Sequence, residues 1–576
     1  MKKLIFTATV LATMTLSLGL TGCSNDNDKS DDRQKAMVAI LKDSSFDYWH
    51  QIAQGFSEEC NAKGLVPLVF YTKDEINSQA QIDIVNHLNT SDYDIQGIAL
   101  APIWTENDRK AEQAVADFAS KHGIPVSIVD SPVDDKTTPL KSVYVCYVGT
   151  DNYLEGRELA AKIPCAADSI LVVRDKNSTP TLERYNGLRA VKGEKIKLWN
   201  TDVNGIDSIQ DHLDSGINSI VFLNGHLCKE ALSNIGIYNV YTFDIYSEYA
   251  PLLDEGTFLK GIVAQNTLKI GHECVKDLLS TPGMKNHCIP TIYFDHKSVL
   301  DPPAEAQQLI EYLKKNSPFS GKSVLLALGN KDYVYWQEIC AGAVEKAKEL
   351  GVELQTVFGQ TETDSTTVPN AIANCASIKD LIGVAGQINR KEYDDACASI
   401  PEGVNLTLIE GVCYKGGISE HRYNGIVSVN NAHYANEFLS HIPEQKLLVL
   451  SYSTGNNVTL TEEYIKLRGA ENIRPIYLDE AACALDSLKS INLKDYDAII
   501  FNSGNFVREE CMEYVEGKTV YSSDLNSDVQ RYISSGAITL NITPDTRKFG
   551  HLVLLSTITG ASYEVPFILT SQRGSL

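Results

Sequence analysis

The chain has 576 residues, 43% of them apolar and 22% charged, too many for one hydrophobic core and enough for two to four domains. With 74 acidic against 51 basic residues the net charge is −23. That balance argues against a nucleic-acid phosphate surface, which needs clustered Lys and Arg, and suits a self-repelling body with a small or neutral ligand.

In chain order, Lys2 and Lys3 precede an apolar run over 4–20, which reads as a targeting segment. Leu20-Thr21-Gly22-Cys23 follows and resembles a bacterial lipobox, so 1–22 reads as a lipoprotein signal peptide and Cys23 as the lipidated residue. The run is short and studded with Thr and Ser, a poor membrane span. SNDNDKSDD then has no helix or strand period, so 23–35 reads as a flexible tether. Its acidity resembles the export signals of Bacteroidota surface lipoproteins.

From residue 36 strands and helices alternate. AMVAIL and LVPLVFY are strands with a helix over 48–63 between them. A helix over 77–89, the strand IQGIALAP, a helix over 107–122 and the strand GIPVSIVD follow. Short β-rich runs alternating with helices predict parallel sheets covered on both faces, whose ligands sit beyond the carboxyl ends of the strands.

The second half repeats the first. KSVLLALGNKDYVYW echoes AMVAILKDSSFDYW, VNLTLIE echoes IPVSIVD, TVYSSD echoes NVYTFD and KFGH echoes KIGH, in the same order and each about 280 residues on. A duplication of that size predicts two complete domains, 36–300 and 322–576. They are joined by a linker over 301–321 that carries a proline pair, a short helix and a turn. Twelve cysteines remain after Cys23, without CxxC pairs or zinc spacing. They read as mostly free thiols, and neither a metal nor a cofactor is expected.

Eight segments in order carry a resemblance: VAILKDSSFDYWHQIAQG, ALAP, GIPVSIVD, VGTDNYLEGRELA, LERYNGLRAV, VFLNG, VYTFD and GIVAQNTLKIG. Together they resemble a type I periplasmic sugar-binding protein of the ribose-binding kind, and the second copy resembles the same fold more faintly. The resemblance implies an α/β fold of two tandem domains, each with two doubly wound parallel-sheet lobes joined by a three-strand hinge that closes like a clamp.

A sugar presents hydroxyl edges and apolar C–H faces, so its site needs carboxylates, amides and a guanidinium around a flat aromatic. The resemblance puts the aromatic platform on Tyr48 and Trp49, carboxylates on Asp130 and Asp244, the guanidinium on Arg184, and amides on Asn224 and the hinge residue Gln265. Departures from the family pattern (Ala101, Ser131 and Phe46) leave a pentose, a hexose or a polyol open.

The second copy keeps Tyr335, Trp336, Asp524 and, conservatively, Glu410 as a second candidate site. Ser503 stands at the Asn224 place, Pro544 at the Gln265 place, and Glu462 or Glu463 near the Arg184 place. That site reads as degenerate for the same sugar: it takes another ligand or serves structure and docking.

No GxSxG, P-loop, HExxH or strand-linked GxGxxG motif points to an enzyme. The expectation is a non-catalytic solute-binding protein, lipid-anchored in the cell envelope with the outer membrane favoured. It would pass a small sugar or polyol to a transporter or a sensor kinase, without nucleic acid. The alternatives are a non-catalytic envelope scaffold and a carbohydrate hydrolase.

Overall fold

The computed structural model describes residues 33–575, apart from 75–76, 104–108, 134–136, 165–168, 177, 202, 214–215, 233–234, 236–237, 249–251, 254–256, 281–285, 362–363, 454–455, 525 and 573. The signal-peptide reading of 1–22, the lipidation reading of Cys23 and all but the end of the 23–35 tether lie outside the described residues.

Twelve strands precede the linker. β1 (Gln34–Asp43), β2 (Val66–Thr72), β3 (Tyr93–Leu100), β4 (Val126–Val129) and β5 (Tyr144–Gly149) come first. β6 (Ile170–Asp175), β7 (Ile196–Thr201), β8 (Ser219–Phe222), β9 (Asn239–Phe243) and β10 (Leu259–Ala264) follow, and β11 (His287–Cys288) and β12 (Ile292–Phe294) close the set. They form two six-stranded sheets, ordered β11-β5-β4-β3-β1-β2 and β12-β10-β9-β8-β6-β7. All pairings are parallel except β10 with β12. Residues 36–41 of β1 are at most 1% exposed, as an apolar run buried on both faces requires.

The chain passes between the two sheets three times: after β5, after β10, and between β11 and β12. These crossings are the hinge that the sequence implies, and Gln265 stands at the second of them. The first lobe therefore holds β1–β5 and β11, the second β6–β10 and β12.

The second copy repeats this plan. Its strands are β13 (Ser323–Asn330), β14 (Glu353–Gly359), β15 (Leu381–Ile388), β16 (Asn405–Cys413), β17 (Gly425–Ser428), β18 (Leu447–Tyr452) and β19 (Ile473–Leu478). β20 (Ala498–Phe501), β21 (Thr519–Ser523), β22 (Leu540–Pro544), β23 (Tyr563–Glu564), β24 (Phe567–Ser571) and β25 (Gly574–Ser575) complete it. The sheets run β14-β13-β15-β16-β17-β23 and β19-β18-β20-β21-β22-β24-β25. All four sheets share one winding, with the first strand of each between the second and the third, and the crevice for a ligand lies at that reversal.

Paired glycines set the helix packing. A Cβ on Gly55, in the helix Asp47–Ala62, would lie 2.0 Å from the Leu268 carbonyl oxygen, and one on Gly271 would lie 2.2 Å from that of Ile52. Gly342 and Gly550 make the same crossing in the second domain, against the Arg547 and Ile339 carbonyls at 2.1 and 2.0 Å. The helix Ala304–Lys315 lies within the 301–321 segment and buries Leu309, Ile310 and Leu313. The eleven described cysteines are free, seven of them buried.

Candidate functional site

The strand ends carry an unusual backbone signature. Asp130 after β4 and Asp244 after β9 have φ of 66° and 58°; their counterparts Glu410, within β16, and Asp524, after β21, have 61° and 68°. Four of the five described non-glycine residues at positive φ are thus the four carboxylates that sequence places in the two clefts. Left-handed backbone is costly for a side chain with a Cβ and gathers at functional sites.

In the first domain the structure brings together Tyr48, Asp130, Gln265, Asp244 and Arg184 in one chain of hydrogen bonds. The Tyr48 hydroxyl lies 2.6 Å from Asp130 Oδ1 and 3.0 Å from Gln265 Oε1. Thr150 donates to the same Gln265 oxygen at 2.9 Å, and Gln265 Nε2 donates to Asp244 at 3.1 Å. Arg184 reaches Asp244 with two nitrogens at 3.3 and 3.5 Å. It also donates to Asn152, Glu155 and the Leu223 carbonyl, at 3.0, 2.9 and 3.0 Å, with its guanidinium 4.7 Å from the Phe243 ring centroid.

Electrostatics explain why the network is stable. Burial, then the Asp130 carboxylate, holds the Tyr48 phenol protonated, well above its ordinary value, so it donates. Burial alone would lower the Arg184 guanidinium, but Asp244 and Glu155 outweigh it and keep it charged. Glu155 is pushed up to about 7 by burial, against the pull of Arg184.

Asn224 follows β8 and caps the helix Gly225–Ala231, accepting from the His226 amide at 2.7 Å. Trp49 is 2% exposed, meets Tyr48 edge-on at 4.9 Å, and has the Lys42 ammonium 5.3 Å from its ring centroid. Lys42 in turn donates to Ser131 at 3.1 Å. The two lobes touch: Phe46 packs on His226 at 4.6 Å, and Asp47 accepts from the Ser247 amide and hydroxyl at 3.2 and 2.9 Å. The first clamp is closed, with Tyr48, Asp130, Gln265, Asp244 and Arg184 joined to one another.

His226 escaped the sequence reading. Among the described residues its buried Nδ1 has no hydrogen-bond partner, and burial lowers its pKa from the ordinary imidazole value. No motif marks it, because only the closure of the lobes brings it against Phe46.

The second cleft is open, a cavity of about 630 Å³ lined by Tyr335, Trp336, Glu410 and Asp524 among others. Tyr335 donates to Glu410 at 2.8 Å, as Tyr48 does to Asp130, and meets Trp336 edge-on at 5.0 Å. Ser503 keeps the capping role of Asn224, accepting from the Asn505 amide at 3.3 Å. Counted from its helix start, the Arg184 place falls on buried Thr461 rather than Glu462 or Glu463. The strand registers Met37↔Gly97 and Val324↔Gly383 put Gln387 at the Ala101 place, where it donates to Glu410. That amide was legible in GIALA against GVAGQ and was missed.

Among the described residues, one trio could offer metal ligands within 4.8 Å of one another, Glu273, Asp277 and His287. His287 is engaged by Asp277 at 3.0 Å and Glu273 by Lys276 at 2.9 Å. No described helix is long and apolar enough to cross a membrane.

Residues 37–280 match the family described as periplasmic binding protein domain. No curated protein matches the chain. Solved structures similar to it include a sugar ABC transporter sugar-binding protein from Bacillus halodurans, at 17% identity and TM-score 0.39, covering 49% of this chain and 100% of that one. An arabinose-binding protein from Geobacillus stearothermophilus aligns at 16% identity and TM-score 0.38, covering 47% and 100%. A sugar transporter from Clostridium phytofermentans aligns at 19% identity and TM-score 0.38, covering 46% and 99%. With its closed polar crevice and its four sheets of one winding, the chain folds as two tandem type I periplasmic-binding-protein domains, the first of them matched over residues 37–280 by the periplasmic binding protein domain family.

Proposed function

We propose that the protein is a cell-envelope solute-binding protein whose first domain, 36–300, clamps a small saccharide: a pentose, a hexose or a polyol. The observation that carries this is the hydrogen-bonded run from Tyr48 through Asp130, Gln265 and Asp244 to Arg184, set where strand ends of two lobes meet. A sugar entering the cleft exchanges these internal bonds for bonds to its hydroxyls, and the closed form is what a partner recognises. Asn224 and His226 add polar groups after β8, and Tyr48 and Trp49 offer ring surface once Lys42 moves aside.

The anchor at Cys23, the outer membrane and delivery to a transporter or a sensor kinase complete the reading; they rest on the lipobox resemblance and on the family of residues 37–280. A differential scanning fluorimetry panel of pentoses, hexoses and polyols tests the saccharide. A ligand at 100 times its Kd stabilises the native state by about 2.7 kcal/mol. Asp130→Asn, which keeps the shape and removes the charge, abolishes the shift.

A second reading, a scaffold with an unused first cleft, is favoured by the contact of Phe46 with His226 and the cover of Lys42 over Trp49. It gives no shift with any member of the panel.

A further inference from the structure

The two clefts differ in how their carboxylates are compensated. In the first, Asp244 meets two Arg184 nitrogens at 3.3 and 3.5 Å and the Gln265 amide at 3.1 Å. In the second, its counterpart Asp524 is held by the Ser503 hydroxyl and the Gly504 amide, neither of them a cation. Pro544 has no amide to give at the Gln265 place. Thr461, at the Arg184 place, spends its hydroxyl in the floor: it donates to the Asn457 carbonyl at 2.8 Å, lies 3.0 Å from Ser451 Oγ and accepts from Asn502 at 2.9 Å.

Across the cavity Glu410 accepts from the neutral donors Tyr335 and Gln387. Burial raises both carboxyls from their ordinary values, and Asp524 adds to the shift of Glu410. Among the described residues the wall carries three further carboxylates, Asp332, Asp479 and Asp528, the last paired with Arg531 at 3.2 Å, against one lining cation, Arg390. Arg390 acts on the Tyr393 phenol.

A neutral ligand filling this cavity would strip water from two carboxylates without supplying a counter-charge, which is costly. A ligand carrying its own cation reverses that sign. An ammonium group beside aromatic faces gains further attraction, and Tyr335 and Trp336 stand on the same wall.

We propose that the second cleft binds a small polyhydroxylated molecule carrying an ammonium group, an amino sugar by class, with Glu410 and Asp524 holding the ammonium and Trp336 meeting the ring. The site is independent of the reading of the first cleft, and Asp130→Asn, which disables that cleft, separates the two in the test.

Isothermal titration of the full chain with D-glucosamine, D-galactosamine and D-mannosamine, against D-glucose, N-acetyl-D-glucosamine and putrescine, decides it. At least one amino sugar binds ten-fold or more tighter than glucose and the acetylated sugar, which keep the ring and lack the charge. Glu410→Gln and Asp524→Asn are near-isosteric and each weakens that binding ten-fold or more, while Asp130→Asn in the first cleft leaves it unchanged. A thermal melt of each variant checks that it folds.

Equal binding of glucose or the acetylated sugar by the Asp130→Asn chain, survival of amino-sugar binding in both second-cleft variants, or no binding by any of the three amino sugars overturns the proposal. Putrescine matching the amino sugars overturns the part of it that requires a sugar ring.

Discussion

Arg184 donates to a side-chain amide, two carboxylates and a backbone carbonyl while only 3% exposed. Removing it leaves Glu155 and Asp244 buried and uncompensated, so Arg184→Ala lowers the stability of the first domain by about 3–5 kcal/mol in urea denaturation. Arg184→Lys recovers only part of this, since one ammonium cannot span the same acceptors. In the second domain the sign of the pH dependence follows from raised carboxyls. Glu410 faces Tyr335, Gln387 and Asp524; Asp524 faces Ser503, with Tyr434 and Tyr464 nearby. The native state holds more protons there than the unfolded chain, whose carboxyls titrate at about 4. Their contribution to stability is full below that value and is lost as pH rises through the raised native values. Thermal midpoints of the second domain therefore fall as pH climbs from about 4, and a Glu410→Gln, Asp524→Asn double variant flattens that slope. The four carboxylates at positive φ were legible because each closes an apolar run in a fixed order. The contact of Phe46 with His226 and the bond from Ser247 to Asp47 were not, since partners across a cleft are chosen by closure.

The helix Asp47–Ala62 enters right after β1 and carries both the aromatic pair and the crossing glycine Gly55. This accounts for the echo of YWHQIAQG in YWQEICAG: ring pair and glycine repeat because the helix crossing repeats. KIGH and KFGH survive for the same reason, since Gly271 and Gly550 are the partners in those crossings. Gly55→Ala puts a methyl group against the Leu268 carbonyl and costs about 1–3 kcal/mol, measured by chemical denaturation; Gly342→Ala does the same in the second domain. The other lobe shows why the second copy looked fainter. Gly156 and Gly187 let the helices Asn152–Lys162 and Thr179–Lys192 touch backbone to backbone, with Cβ positions 2.0 Å from the Arg184 and Tyr153 carbonyls. Counted from the helix starts, Ala435 and Tyr464 stand in their places, both fully buried. A tyrosine there rebuilds the helix pair and erases the landmarks NYLEG and RYNG, while the strands beneath stay readable as apolar runs.

On the scale of the whole molecule, the linker helix reaches the closing edge of the first clamp. The Tyr312 hydroxyl donates to Asp47 at 3.3 Å, and the same carboxylate accepts from Ser247 on the opposite lobe. Phe258 of the first domain stacks on Tyr563 beside the second hinge, with centroids 5.5 Å apart and planes 20° from parallel. A double-mutant cycle of Phe258→Ala and Tyr563→Ala in denaturation returns a coupling of about 0.5–1.5 kcal/mol, the worth of one aromatic pair. The duplication was legible from four landmarks, but this contact was not, because neither ring belongs to a repeated motif. The most direct test of the account is isothermal titration of the full chain with the saccharide that stabilises it best in the fluorimetry panel. The account predicts one site per chain for that sugar, lost in Asp130→Asn and retained in Glu410→Gln. Heat from no member of the panel, or binding untouched by Asp130→Asn, contradicts it.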